Sequence, residues 1–129
     1  MPHSKELRRI LCVEDDADIR AIAEMALEMV GEFDVLICAS GGDALDRVSD
    51  FAPDLIMLDV MMPGMDGPTT LQCLRANPVT AAIPVIFLTA KVQPSEIQYY
   101  QSLGALDVIA KPFDPMRLSD EVRRIFNHA

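Results

Sequence analysis

Short apolar runs and longer amphipathic stretches alternate five times along this chain. The runs Arg9–Val13, Phe33–Cys38, Leu55–Leu58, Ile83–Leu88 and Val108–Ala110 read as strands. Leu55-Ile56-Met57-Leu58 is apolar at every position. Continuous runs of that kind suit a parallel sheet covered by helices on both faces, whereas a half-exposed sheet would alternate apolar and polar residues.

Between the runs, apolar residues recur at helical spacing. Ile19, Ile22, Ala26, Met29 and Val30 predict an amphipathic first helix, with Gly31 just past its end as a C′ residue. Ser40 and Asp43 have capping-box spacing ahead of Ala44, Leu45 and Val48. Asp66-Gly67-Pro68 starts a third helix, with Asp as N-cap and Pro where its missing N–H is harmless. Pro94 opens a fourth that Gly104 closes; there Ile97, Tyr100 and Leu103 share a stripe facing the sheet, and Tyr99 points outward. Asp114-Pro115 starts a fifth, carrying Leu118, Val122, Ile125 and Phe126 on one face. Five strands and five helices in strict alternation imply a doubly wound parallel α/β sheet.

Such a sheet gathers the carboxyl ends of its strands along one edge, where ligands bind. The polar residues that follow the runs therefore carry weight: Glu14 and Asp15, Asp59, Thr89 and Lys111. Each has an ordinary structural reading. Asp59 could cap the loop Val60–Met65, the acidic triplet Glu14-Asp15-Asp16 could serve a helix N-terminus, and Thr89 and Lys111 could be plain strand-end residues. Asp16 fits the N-cap role. Together, however, three carboxylates, a hydroxyl and an ammonium suit a divalent cation and a phosphoryl group. Crowded carboxylates resist full ionisation unless a cation intervenes. Hard oxygen donors favour Mg²⁺ over Zn²⁺. His3 and His128 lie near the termini and are given no role.

Composition narrows the partners. The 129 residues include 20 acidic and 11 basic side chains, a net charge of −9, which argues against direct nucleic-acid binding. Three cysteines, Cys12, Cys38 and Cys73, cannot form a disulfide framework and read as buried or half-buried small hydrophobes in a reducing compartment. No apolar stretch approaches the ~20 residues needed to span a bilayer, and residues 1–9 lack a signal-peptide core. A cytoplasmic protein with no membrane partner is expected.

Four segments carry a family resemblance that covers essentially the whole chain: Ile10–Asp16, Asp54–Gly67, Leu88-Thr89-Ala90 and Lys111-Pro112-Phe113. In this order and spacing they resemble the receiver domain of two-component response regulators. The resemblance implies a flavodoxin-like sheet of order 2-1-3-4-5. It implies Asp59 as phosphoacceptor, Lys111 binding a phosphoryl oxygen and Thr89 as switch hydroxyl. Mg²⁺ would be held by Asp15, Asp59 and the backbone carbonyl of Met61, with Glu14 acting mainly through water. The partners implied are a sensor histidine kinase or histidine phosphotransfer protein, and a downstream protein target on the helix 4–strand 5–helix 5 face. The chain, 1–129 with a core of about 8–127, is expected to be one receiver domain without an effector domain, a switch rather than an enzyme. A receiver cut from the front of a longer regulator would look the same. A metal-dependent phosphatase of the haloacid dehalogenase type fits poorly, because its general acid two residues after the nucleophile is here Met61. Val108 stands where many receivers carry a switch aromatic, and Met61 and Lys91 occupy positions that vary within the family and tune phosphate lifetime.

Overall fold

The computed structural model describes residues 6–129; His3 lies outside the described residues. Its strands are β1 (Arg9–Val13), β2 (Asp34–Cys38), β3 (Leu55–Asp59), β4 (Val85–Thr89) and β5 (Asp107–Ala110). The helices are α1 (Ala17–Met25), α2 (Gly41–Phe51), α3 (Gly67–Ala76), α4 (Pro94–Ser102) and α5 (Leu118–Asn127). All four strand pairings are parallel, in the order β2-β1-β3-β4-β5.

Successive strand residues face opposite sides of the sheet, and the core divides accordingly. Ile10, Cys12, Met57, Ile86, Leu88 and Ile109 pack under α1 and α5 with Ala23, Leu27, Leu118, Val122 and Phe126. Leu11, Val13, Ile56, Leu58, Phe87 and Val108 pack under α2, α3 and α4 with Val48, Leu71, Leu74 and Tyr100. Each such side chain contributes roughly 1.5–3 kcal/mol when fully buried. At the opposite edge from the polar strand ends, the Asp54 carboxylate accepts the N–H groups of Arg8 and Arg9 at 3.0 and 2.9 Å, fixing the start of β1 beside β3.

The first three helix starts follow the sequence. Asp16 accepts from the N–H groups of Asp18 and Ile19, Ser40 from Asp43, and Asp66 from Thr69. At α4 the Glu96 carboxylate accepts the Gln93 N–H at 3.2 Å, with Gln93 as N-cap.

Several local expectations need correction. The first helix buries Ala23, Ala26 and Leu27, while Ile22, Met29 and Val30 are exposed, Met29 by 74%. Ile22 is exposed within regular α1; the π-helical turn Ala26–Val30 that follows it takes Met29 and Val30 off simple three- and four-residue spacing. Gly31 is the C-cap rather than the C′ residue: its φ is −88°, and Glu32 after it takes the positive φ of 60°. Glycine is required at 31 for space, since a Cβ would lie 2.2 Å from Ser119 Oγ and 2.8 Å from the Leu27 carbonyl. The fifth helix starts at Leu118, after a turn, because Asp114 caps that turn through the Met116 N–H. Cys73 is exposed rather than buried, and Leu103 lies beyond the end of α4 and is partly exposed. Tyr100 is buried and Tyr99 exposed, as the stripe predicts.

Candidate functional site

The carboxyl edge brings all five polar groups together. β1 and β4 flank β3, so Glu14 and Asp15 arrive from one side of Asp59, and Thr89 from the other. Lys111 follows β5, and its backbone N–H donates to the Thr89 carbonyl at 2.9 Å. The next residue is bonded through a cis peptide, Lys111-Pro112.

Lys111 Nζ donates to Glu14 Oε1 at 2.7 Å and to Asp59 Oδ1 at 3.1 Å. The ammonium thus bridges two buried carboxylates from β1 and β3. Asp15, exposed at the rim, completes a set in which one ligand atom each from Glu14, Asp15 and Asp59 lies within 4.8 Å of the others. Glu14 Oε2 accepts the Asp16 N–H at 3.1 Å.

Burial sets the electrostatics. Asp59 is only 2% exposed. Desolvation pushes its carboxyl up from 3.8 to about 7; Lys111 opposes the shift, and Glu14 reinforces it. Burial lowers the affinity of the Lys111 ammonium for its proton, but the bonds to Glu14 and Asp59 outweigh it and the pKa is raised. The site therefore holds excess negative charge that one ammonium does not neutralise. Its three clustered donors, one each from Glu14, Asp15 and Asp59, are carboxylate oxygens, a set that fits a hard divalent cation such as Mg²⁺.

Around the carboxylates the backbone is closely packed. Gly67 N donates to the Val60 carbonyl at 2.9 Å, and a Cβ at Gly67 would lie 2.5 Å from the Asp59 carbonyl oxygen. The Met61 side chain is 69% exposed at the mouth of this loop. Thr89 Oγ1 accepts the Lys91 N–H at 3.1 Å, which ties the strand end to the loop after it. Ala90 is exposed and leaves the approach open. Arg20 was overlooked in the sequence: its Nη1 donates to the carbonyls of Glu14 at 2.9 Å and Asp15 at 2.8 Å. A basic residue one helical turn after an acidic cap was the available signal.

Residues 10–123 match the model of the response regulator receiver domain. The chain belongs to this family. This receiver is 38% identical over 116 residues to the DNA-binding response regulator MtrA of Mycolicibacterium paratuberculosis, an alignment covering 90% of the chain and 50% of MtrA. The chain thus spans about half the length of the curated relatives it matches. Among solved structures, the chemotaxis response regulator CheY4 of Vibrio cholerae superposes with a TM-score of 0.84 at 28% identity, covering 93% of the receiver and 99% of CheY4. A putative response regulator from Chloroflexus aurantiacus gives 0.82 at 34% identity, covering 94% and 98%. The sheet order 2-1-3-4-5 is that of these relatives. The receiver is a phosphorylation switch of two-component signalling, a family that works with histidine kinases or phosphotransfer proteins. Among the described residues, no helix is long and apolar enough to cross a membrane.

Proposed function

We propose that Asp59 is the phosphoacceptor of this receiver, and that Glu14, Asp15 and Asp59, with the backbone carbonyl of Met61, hold Mg²⁺. The observation that carries the reading is the single ammonium of Lys111 bonded to both Glu14 and Asp59, with Asp15 alongside. A carboxylate kept almost wholly out of water at a strand end is costly unless its environment uses its charge.

An Asp59 carboxylate oxygen attacks phosphorus as the P–N bond of a phosphohistidine breaks; the electron pair leaves with the imidazole nitrogen, which takes up a proton. Such a transfer depends on positioning and charge stabilisation. Burial and the bond from Lys111 fix the carboxylate, and Lys111 then meets a phosphoryl oxygen as a point charge. Bound Mg²⁺ supplies Lewis-acid neutralisation of the phosphoryl oxygens.

The acyl phosphate then biases a two-state equilibrium. A shift from 1:99 to 99:1 requires about 5.5 kcal/mol, and hydrogen bonds to charged groups supply about 1.5–3 kcal/mol each. Two to four such bonds suffice. Lys111 provides one, and the Thr89 hydroxyl can donate another while its oxygen keeps the Lys91 N–H, drawing the 89–92 loop toward the site. Output then passes to a protein target over α4, β5 and α5, where Tyr99 is 57% exposed and aromatic anchors are favoured. Residues 8–127 act as one receiver unit. Free Cys12, Cys38 and Cys73 fit a reducing cytoplasm.

The test is intact mass after incubation with acetyl phosphate and Mg²⁺. The wild-type chain gains one phosphoryl group and loses the ability in EDTA; Asp59→Asn gains none. An adduct of equal yield on Asp59→Asn would refute the assignment.

A further inference from the structure

We propose that Arg20 is a positioning residue for the metal site, acting through the backbone of Glu14 and Asp15. This rests on the Mg²⁺ reading above. The three metal-facing carboxylates are held very differently. Asp59 and Glu14 are buried and share Lys111, and Glu14 is further fixed by the Asp16 N–H. The Asp15 carboxylate is exposed and, among the described residues, has no hydrogen bond or ion pair of its own. Its aim is therefore set by its backbone. That backbone is clamped from outside the loop by Arg20: one terminal nitrogen donates to both carbonyls, at 2.9 and 2.8 Å. Because Asp16 caps α1 through the Asp18 and Ile19 N–H groups, Arg20 sits on a rigid first turn. The clamp thus ties the loose member of the cluster to a fixed element. Groups that orient metal ligands without touching the metal commonly matter 10–100-fold to affinity.

The sign of the effect separates this role from a simpler one. A guanidinium near a divalent cation repels it, so a residue acting only as a counter-charge to the acidic cluster weakens Mg²⁺ binding, and its removal tightens it. A positioning residue does the opposite. The experiment is calorimetric titration of the full chain with Mg²⁺ alone, for wild type, Arg20→Gln and Arg20→Lys. Positioning predicts roughly tenfold weaker binding in Arg20→Gln, at the low end of the range because charge relief opposes the loss. It predicts a smaller loss in Arg20→Lys, which keeps the charge but not the planar geometry. With acetyl phosphate, the Mg²⁺ concentration giving half-maximal phosphorylation should rise in step, with the rate at saturating Mg²⁺ little changed. Unchanged or tighter Mg²⁺ binding in Arg20→Gln overturns the proposal. If that variant does not fold, Arg20→Lys decides: weaker binding supports the clamp, and wild-type affinity overturns it. Absence of Mg²⁺ binding in the wild type overturns the metal reading itself, and the clamp with it.

Discussion

Replacing Asp59 with Asn should stabilise the metal-free protein. Asp59 is almost wholly buried, and its carboxyl is pushed from 3.8 to about 7, chiefly by desolvation. The folded state thus holds the Asp59 proton more tightly than the unfolded chain does. Between those two values it carries more protons, so this group makes stability fall as pH rises from about 4 to about 7. A displacement of about three units at about 1.4 kcal/mol each sets a ceiling of about 4 kcal/mol on the cost of ionised Asp59 above pH 7. Asn is nearly isosteric and uncharged; its carbonyl can accept from Lys111 and its amide can donate to Glu14. Burying that amide costs about 1–3 kcal/mol where its bonds are imperfect. A net gain of at most about 2 kcal/mol remains, which for a domain of this size caps the melting-temperature rise at roughly 6–10 °C. The assay is scanning calorimetry in EDTA at pH 8 and pH 4. The gain should be large at pH 8, where wild-type Asp59 is charged, and small at pH 4. Equal melting temperatures at pH 8, or a gain that grows on acidification, would refute the account of a buried, electrostatically strained carboxylate.

Lys111→Ala leaves Glu14 and Asp59 without their shared ammonium; removing one partner of a buried ion pair costs about 3–5 kcal/mol. Melts at pH 8 should show that loss in EDTA and a partial recovery with Mg²⁺, while phosphorylation slows and no longer changes partner affinity. Gly67→Ala drives a Cβ to within 2.5 Å of the Asp59 carbonyl and 2.8 Å of Val60 Cα, both backbone atoms; a loss of about 1–3 kcal/mol in urea titration is expected, with slower phosphorylation. Val108→Ala should cost about 1–3 kcal/mol, since Val108 is buried beside Phe87. Its phosphorylation-dependent partner binding should persist, because a β-branched side chain with one stiff torsion gives little rotamer switch. Normal stability with lost coupling would identify position 108 as a switch.

Strand positions were legible because β3 and β4 are buried on both faces and their residues are apolar without interruption until Asp59 and Thr89. The site followed from those endings, since the parallel sheet aligns them on one edge. The end of α1 was not legible. Its π-helical turn answers to tertiary contacts: Ser119 Oγ donates to the Ala26 carbonyl at 2.9 Å, and Arg123 bonds the Gly31 carbonyl while lying over the Phe33 ring. These partners lie on α5, about ninety residues away, beyond any local periodicity. Arg20 left only a weak signal, its spacing of one helical turn from the Asp16 cap, because its targets are backbone carbonyls rather than side chains.

The placing of β5 gives the sheet unequal stiffness. β3 lies at the centre, paired on both sides and buried along its whole length, Asp59 included. β5 is an edge strand of four residues, buried at only two of them and paired to β4 alone. Close-packed interiors yield little, so a load applied at Asp59 is not absorbed by the strand that carries it. On the phosphorylation proposed above, such a load would pass along the Lys111 tie into the less supported margin of the sheet. Which strand is central and which is peripheral would then set the direction in which the receiver yields.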